Sequence, residues 1–486
     1  QLKNVQIALF DMRNIYFYIL TLFYISCSGN LSPNLKFSSE VPEIWSSPLP
    51  SQESFTGKWW QVFSDTLFNR TFEEFTGNNP DLLSISHQVE SSNLLAKING
   101  ATRTPNVSLS TGGSSRQQNL SAFGFSLSSL GLGGGDTDSS ANNQVVSFTS
   151  DNYSANVAMQ WEIDIWGKLR NQRKAAFKNF EATQNELAYL RFSLSTRFAT
   201  SYYNAVEAEM QYKLAEEITA SLEGVRDVVS ERYGLGLTSS LDLRLAEASF
   251  ANSKLQLVDR SIQKNRSLRS LESLLGKYPS ATIQISKKLP ISIPPITAGI
   301  PSELVKRRPD VIAAVNKIEA ASYEHAQSKR NLFPSFSLTA SGGTSASELK
   351  DVLNGDYSVW NLGANISAPI FQGRRLRNNV LLKETQFNLA ELEALKIMIR
   401  AFSEVEQALF IQHEIISQLD AVKTAEEQAK AAYDLAFDRY QKGLVDLVTV
   451  LNSQNQWSNS QSIKITIQNL HINSYTSLLL ALGGKF

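Results

Sequence analysis

One cysteine in 486 residues excludes an internal disulfide. Four histidines (His87, His325, His413 and His471), scattered without ligand spacing, offer no metal site. Lysine plus arginine equal aspartate plus glutamate at 46 each, so no net charge draws the chain to nucleic acid. The sequence has no nucleophile–base pair and no phosphate loop. The glycines at Gly131, Gly133, Gly134 and Gly135 lack a following Lys-Ser/Thr and any strand–helix context, and read as flexible-loop composition. The chain is therefore expected to be no enzyme and to carry no cofactor. Beyond the N-terminal region no apolar run approaches the roughly 20 residues of a spanning helix. If this chain crosses a membrane, it does so with strands.

What is present begins with a targeting segment. Met12-Arg13-Asn14 precedes an apolar run from Ile15 to Ile25, then Ser26-Cys27. A short basic region, an apolar stretch and a small residue before the cut describe a secretory signal over residues 1–26, with Met12 as its expected start. Cys27 stands where a bacterial lipobox places its acylated cysteine, and Ser28 after it fits sorting to the outer membrane. The alternative is a buried structural cysteine.

The remainder is a doubled unit. Asn79-Pro80-Asp81-Leu82 and Arg308-Pro309-Asp310-Val311 each open a helix with proline in its first turn and an acid at the positive end of the dipole. Pro105 follows Pro80 at the interval by which Pro334 follows Pro309, so the two helices match in length. Past each second proline the period changes to two-residue alternation, as in Asn156–Ile165 and Asn361–Ile370. Each half thus supplies a strand pair, 105–166 and 334–372, with a longer loop in the first. Both pairs close on glycine and a basic cluster: Gly167, Lys168 and Arg170, then Gly373, Arg374, Arg375 and Arg377. Cations are unfavourable at a helix N-terminus, so nearby carboxylates or anionic lipid head groups are expected to answer them.

From each cluster a helical pattern runs roughly 66 residues, on the order of 100 Å. In the second copy it carries heptads at Leu395, Phe402, Leu409 and Ile416, and at Met398, Val405, Gln412 and Leu419. Each long helix reaches Arg-Tyr-x-x-Gly: Arg232, Tyr233 and Gly236, with Leu237, Thr238 and Ser239; then Arg439, Tyr440 and Gly443, with Leu444, Val445 and Asp446. Such a glycine reads as a C-cap at a hairpin tip. The first return breaks at Gly276 and Pro279 and resumes as a helix from about Ser302 to Leu332. The second return runs from about Leu447 to Leu482. The expected organisation is an irregular, aromatic N-terminal segment (27–79), a first repeat (80–278, tip 233–240), a linker (279–301), a second repeat (302–482, tip 440–446) and a tail (483–486). The first segment, the linker and the C-terminus are expected to meet as a belt. Trp161, Trp360 and Tyr357 are candidates either for an aromatic girdle at a membrane edge or for core packing.

Four strands per chain cannot close a barrel, and open edges are not tolerated in lipid. Three copies give twelve strands, an even number as bacterial outer-membrane barrels have. The expected fold class is a mixed α/β membrane protein: a homotrimeric 12-stranded β-barrel continued by a long periplasmic α-helical coiled-coil barrel, with an internal two-fold repeat.

The sequence resembles the trimeric TolC-like outer-membrane efflux proteins, in their OprM/NodT-like lipoprotein branch. Trp59-Trp60-x-x-Phe63, Asn79-Pro80-Asp81-Leu82, Trp161 to Gly167, Gly299 to Leu304, Arg307 to Val311, Phe333-Pro334-Ser335, Ala368 to Gly373 and both tips carry the resemblance, in order, over nearly the whole chain. It implies the outer-membrane exit duct of a tripartite efflux system for small molecules, working with a periplasmic adaptor and an inner-membrane pump of the RND type. A duct for protein secretion is the rival reading. The resemblance also implies a periplasmic gate at the tips, with Asp446 and Asp242 as cation-attracting acids and Arg232, Tyr233, Arg439 and Tyr440 bonding across the turns. It further implies adaptor docking at Gly236–Ser239 and Gly443–Val445. The plain alternative for each aspartate is a helix N-cap.

Overall fold

The computed structural model describes residues 42–48, 58–119, 147–291, 293–296 and 299–484; Cys27 and the glycine-rich stretch at 131–135 lie outside them. Two compact units divide the chain, one comprising Leu95–Phe177 with Ala320–Phe387 and the other the remaining described residues. The helices are α1 (Thr66–Asn78), α2 (Pro80–Ala101), α3 (Lys168–Gly234), α4 (Ser240–Leu274), α5 (Pro301–Arg307), α6 (Pro309–Arg330), α7 (Arg375–Gln441) and α8 (Leu447–Ala481). The strands are β1 (Asn106–Asn119), β2 (Ser147–Ile163), β3 (Ser335–Ala346) and β4 (Ser358–Ser367). The doubled plan is visible in α3 and α7, each 67 residues long, and in α4 and α8, each 35.

The first unit holds an antiparallel sheet in the order β1-β2-β3-β4. Its register sorts the side chains into two unlike faces. Val107 pairs with Met159, Met159 with Ala340 and Ala340 with Leu362, so one face is apolar from edge to edge. Ser110 pairs with Asn156 and Ser341 with Asn361, so the other face carries hydroxyls and amides. The apolar face is open among the described residues: Leu109 is 72% exposed and Trp360 82%. Trp161 is half-buried, and its indole donates to the Arg103 carbonyl at 2.9 Å.

In the second unit the N-terminal segment, the linker and the C-terminal helix gather on α3. Phe68, Phe72 and Phe75 of α1 pack against Phe198 of α3, with Phe75 and Phe198 stacked at 4.4 Å. Phe63 meets both Tyr203 of α3 and Tyr475 of α8. Ser286 of the linker donates to Asp65 at 2.7 Å. Among these aromatics, burial pushes the Tyr202 phenol up to about 12. The segment is not irregular throughout, as the sequence reading expected. Asp65 accepts the Phe68 amide at 3.0 Å and so caps α1.

Two further expectations are corrected. The helix read as continuous from about Ser302 is two, α5 and α6, parted at Arg308 (φ −77°, ψ 118°). Pro309 offers no amide proton and disfavours helical backbone in the residue before it. The buried stripe of α7 is also shifted from the expected heptads. Ala394, Ala401, Ala408, Ile415, Val422, Ala429 and Ala436 are buried, while Ile416 is 60% exposed. Leu409 of the same heptad set, and Met398 and Val405 of the other, are buried as expected. Much of the seam falls on alanines, which an apolar-pattern reading weighs least.

Arg308, at the α5–α6 break, has no exposed surface. Its guanidinium bonds Asp310 at 2.8 Å, the Ala481 carbonyl at 3.1 Å, the Tyr189 hydroxyl at 3.1 Å and the Glu404 carboxylate. One buried cation thereby ties together the ends or middles of α3, α6, α7 and α8.

Candidate functional site

The two hairpin tips lie together in the second unit. Both long helices end in the same hydrogen-bond pattern. Leu237 N donates to the Arg232 carbonyl at 2.8 Å and Gly236 N to that of Tyr233 at 2.9 Å; Leu444 N and Gly443 N bond Arg439 and Tyr440 alike. This double bond is a Schellman closure, which needs a left-handed residue at its corner. Gly236 (φ +73°) and Gly443 (φ +74°) supply it. Beneath the turns, Leu222, Val225 and Val229 of α3 pack with Tyr433 and Tyr440 of α7 and with Leu447 and Val450 of α8. The two hairpins therefore share one apolar core.

The tips are equivalent in backbone and unequal in side chains. Arg232 crosses to the second hairpin. Its Nη1 donates to the carbonyls of Tyr440 (3.2 Å) and Gln441 (3.3 Å), and its guanidinium lies 5.1 Å from the Tyr440 ring centroid. That arrangement combines charge-assisted bonding with cation–π attraction. Tyr440 is buried and Arg439 exposed, whereas Tyr233 is 45% exposed. The two Arg-Tyr pairs are alike in sequence, but the structure joins the hairpins through Arg232 and Tyr440. Leu235, Leu237 and Leu444 are largely exposed at the turns.

Asp446 is the N-cap of α8. Its Oδ1 accepts from Thr449 N at 2.9 Å and from the Thr449 hydroxyl at 2.5 Å. Asp242 plays a different local part from the N-cap considered for it. Ser239 is the N-cap of α4, and Asp242 is the third helical residue of a capping box. Its carboxylate accepts from the Thr238 hydroxyl at 2.6 Å and the Ser239 amide at 3.2 Å. Hydrogen bonds, from Thr238 foremost at Asp242 and from Thr449 at Asp446, hold both carboxyls below the usual range. The negative charge of Asp242 pushes Asp446 weakly the other way. Both are ionised at neutral pH, and the tip presents them to solvent-accessible space.

The second candidate region is the strand–helix junction in the first unit. Gly167 (φ +79°) turns the chain from β2 into α3. Asp164 accepts the Leu169 amide at 3.0 Å and the Arg170 amide at 2.7 Å, and Lys168 pairs with Glu162 at 2.9 Å. Glu162 thus answers Lys168, and Asp164 answers the amides of the helix N-terminus. Gly373 (φ +54°) and Arg374 (φ +64°) make the corresponding turn into α7. Between these turns Trp166 stacks on Phe333 at 5.2 Å and Arg330 Nε donates to the Trp166 carbonyl at 2.8 Å. Sequence reasoning passed over Asp164, Glu162 and Arg330. Two acids shortly before a basic helix start were the available signal for the first pair; nothing local marked Arg330.

No group of three or more histidine, cysteine, aspartate or glutamate side chains among the described residues is placed to hold a metal. No described helix is long and apolar enough to cross a membrane.

A family model described as "Outer membrane efflux protein" matches residues 72–277 and 300–484. The chain is 28% identical over 483 residues to the pyoverdine export outer membrane protein OpmQ of Pseudomonas aeruginosa, covering 98% of this chain and 97% of that one. It is also 28% identical over 438 residues to the toluene efflux pump outer membrane protein TtgF of Pseudomonas putida, covering 90% and 87%. In three dimensions it is similar to the CmeC outer membrane channel of Campylobacter jejuni, with a TM-score of 0.82 at 23% identity over 94% of this chain and 95% of that one. With a family match across both repeats and the same fold as an outer-membrane channel, the chain belongs to the outer membrane efflux protein family.

Proposed function

We propose that three copies of this chain assemble into the exit duct of a tripartite efflux system, carrying small molecules out across the outer membrane. The observation that carries this is the sheet: four strands with one apolar and one hydroxyl–amide face, and unpaired outer edges at β1 and β4 among the described residues. Such a sheet suits lipid outside and water inside, and closes only with strands from other copies. Leu389, Leu392 and Ile399 are exposed along α7, where a neighbouring copy would cover them.

On this reading the tips form the periplasmic mouth. Asp242 and Asp446 repeat threefold as rings of charge that attract cations, and the Arg232 bonds to the second hairpin hold the mouth closed. The exposed leucines of the turns and Gly236–Ser239 with Gly443–Val445 receive a periplasmic adaptor, which links the duct to an inner-membrane pump of the RND type. Cys27 carries the lipid anchor.

Crosslinking in cells, purification of the full chain and identification of what comes with it tests the assembly. Recovery of an adaptor with a proton-driven pump is the expected result. Recovery of an ATP-driven protein exporter in its place would overturn the efflux reading.

A further inference from the structure

The two strand–helix junctions differ in one chemical respect. With Gly167 aligned on Gly373, Glu162 and Asp164 of the first copy fall opposite Ala368 and Ile370 of the second. The first junction therefore neutralises itself: Asp164 takes two amides of the α3 N-terminus and Glu162 takes Lys168. The second has the larger cationic cluster and lost both acids. Arg374, Arg375 and Arg377 are exposed, and Arg375 donates to the neutral side-chain amide of Gln372. Among the described residues no carboxylate pairs with any of the three.

Directly before these arginines, Ile370 and Phe371 are 93% and 86% exposed. They follow β4, whose apolar-face residue Ile366 is itself 66% exposed. A cavity of about 800 Å³ opens beside Arg375, lined also by Lys168, Arg330, Ile370 and Phe371 and by the carboxylates Glu162 and Asp164 that the first junction already engages; Arg374 and Arg377 lie outside its lining. Three exposed guanidinium groups with no carboxylate paired to them among the described residues call for an anion, and arginine matches phosphate oxygens with paired N–H donors. The adjoining apolar side chains call for hydrocarbon. Both demands meet at the end of a strand whose apolar face suits a bilayer.

We propose that the second junction binds an anionic phospholipid of the bilayer. The arginines hold its phosphate, and Ile370 and Phe371 lie against the start of its acyl chains. The site takes a lipid rather than free phosphate, because inorganic phosphate leaves the apolar side chains uncovered. It rests on the placement of the sheet in a membrane and goes beyond it by assigning a ligand.

Native mass spectrometry of the full chain, released from detergent after incubation with phosphatidylglycerol or phosphatidylcholine of identical chains, reads the site directly. Retention of phosphatidylglycerol is expected to exceed that of phosphatidylcholine by at least about tenfold, given roughly fivefold per basic residue facing an anionic surface. The R374Q/R375Q/R377Q variant should lose the preference, and R266Q/R269Q, exposed on α4, should keep it. An unchanged preference in the triple variant overturns the proposal. So does displacement of the lipid by excess inorganic phosphate alone. Dissociation of the triple variant into single chains that retain lipid as before would assign the arginines to subunit contact and overturn it too. Export is not the readout, so failure here leaves the channel function standing.

Discussion

Arg308 holds a full charge where no water reaches it, and its effect follows from its partners. Asp310, Glu404, Tyr189 and the Ala481 carbonyl surround the guanidinium, so truncation leaves the buried Asp310 without its cation, while the part-exposed Glu404 keeps Arg400. Arg308→Ala should cost about 3–5 kcal/mol, the range for breaking a buried ion pair from one side. Denaturant unfolding of the purified chain measures it, and a cost below about 1 kcal/mol would show that Arg308 is no more than a surface charge. His471 gives a pH signature. Its Nε2 lies 3.0 Å from the Gln412 amide nitrogen, and burial holds its pKa below the ordinary 6.5. The neutral ring is the stable form in the fold, so its contribution is fully present above 6.5 and is lost as pH falls through the lower folded value. Thermal stability of the wild type should therefore fall as pH is lowered from 6.5 through that value, and His471→Gln should flatten the slope. Neither residue's role was legible in the sequence. Arg308 read only as the residue ahead of a helix-opening proline, and a lone histidine at helical spacing names no partner.

The elements were the most legible scale. Prolines at equal intervals, the switch from helical to alternating period and two Arg-Tyr-x-x-Gly turns needed only local chemistry, and each lies where its element begins or ends in the structure. What failed did so for physical reasons. The buried stripe of α7 falls on Ala394, Ala401 and Ala408, because close helix packing selects small side chains and leaves larger neighbours such as Ile416 outside. Ala401→Leu should therefore destabilise by about 1–3 kcal/mol through overpacking. The same change at the exposed Lys396 should stay within about 0.5 kcal/mol. Equal effects of the two in thermal melts would place the seam elsewhere. At the tips the sequence showed which residues turn the chain. It did not show that Arg232 crosses to Tyr440 while Arg439 stays exposed, since pairing between hairpins distant in sequence depends on packing.

At the scale of the whole molecule, duplication accounts for much of the design, and departures from it mark the candidate sites. Arg232 bonds across at the tip and Arg439 does not repeat the contact. The first junction carries its own acids and the second does not. On the proposed reading, a doubled unit whose four strands have one lipid-compatible face closes its barrel with other copies. It also explains why membrane character was readable although no described helix is long and apolar enough to cross a membrane. The central claim, an export duct held shut at the hairpin tips, is tested most directly by conductance. In planar bilayers the purified wild-type protein should pass little current, and Arg232→Ala, freed from the Tyr440 and Gln441 carbonyls, should raise the single-channel conductance several-fold. Equal conductance of the two folded proteins, or no channels from either, would contradict the account.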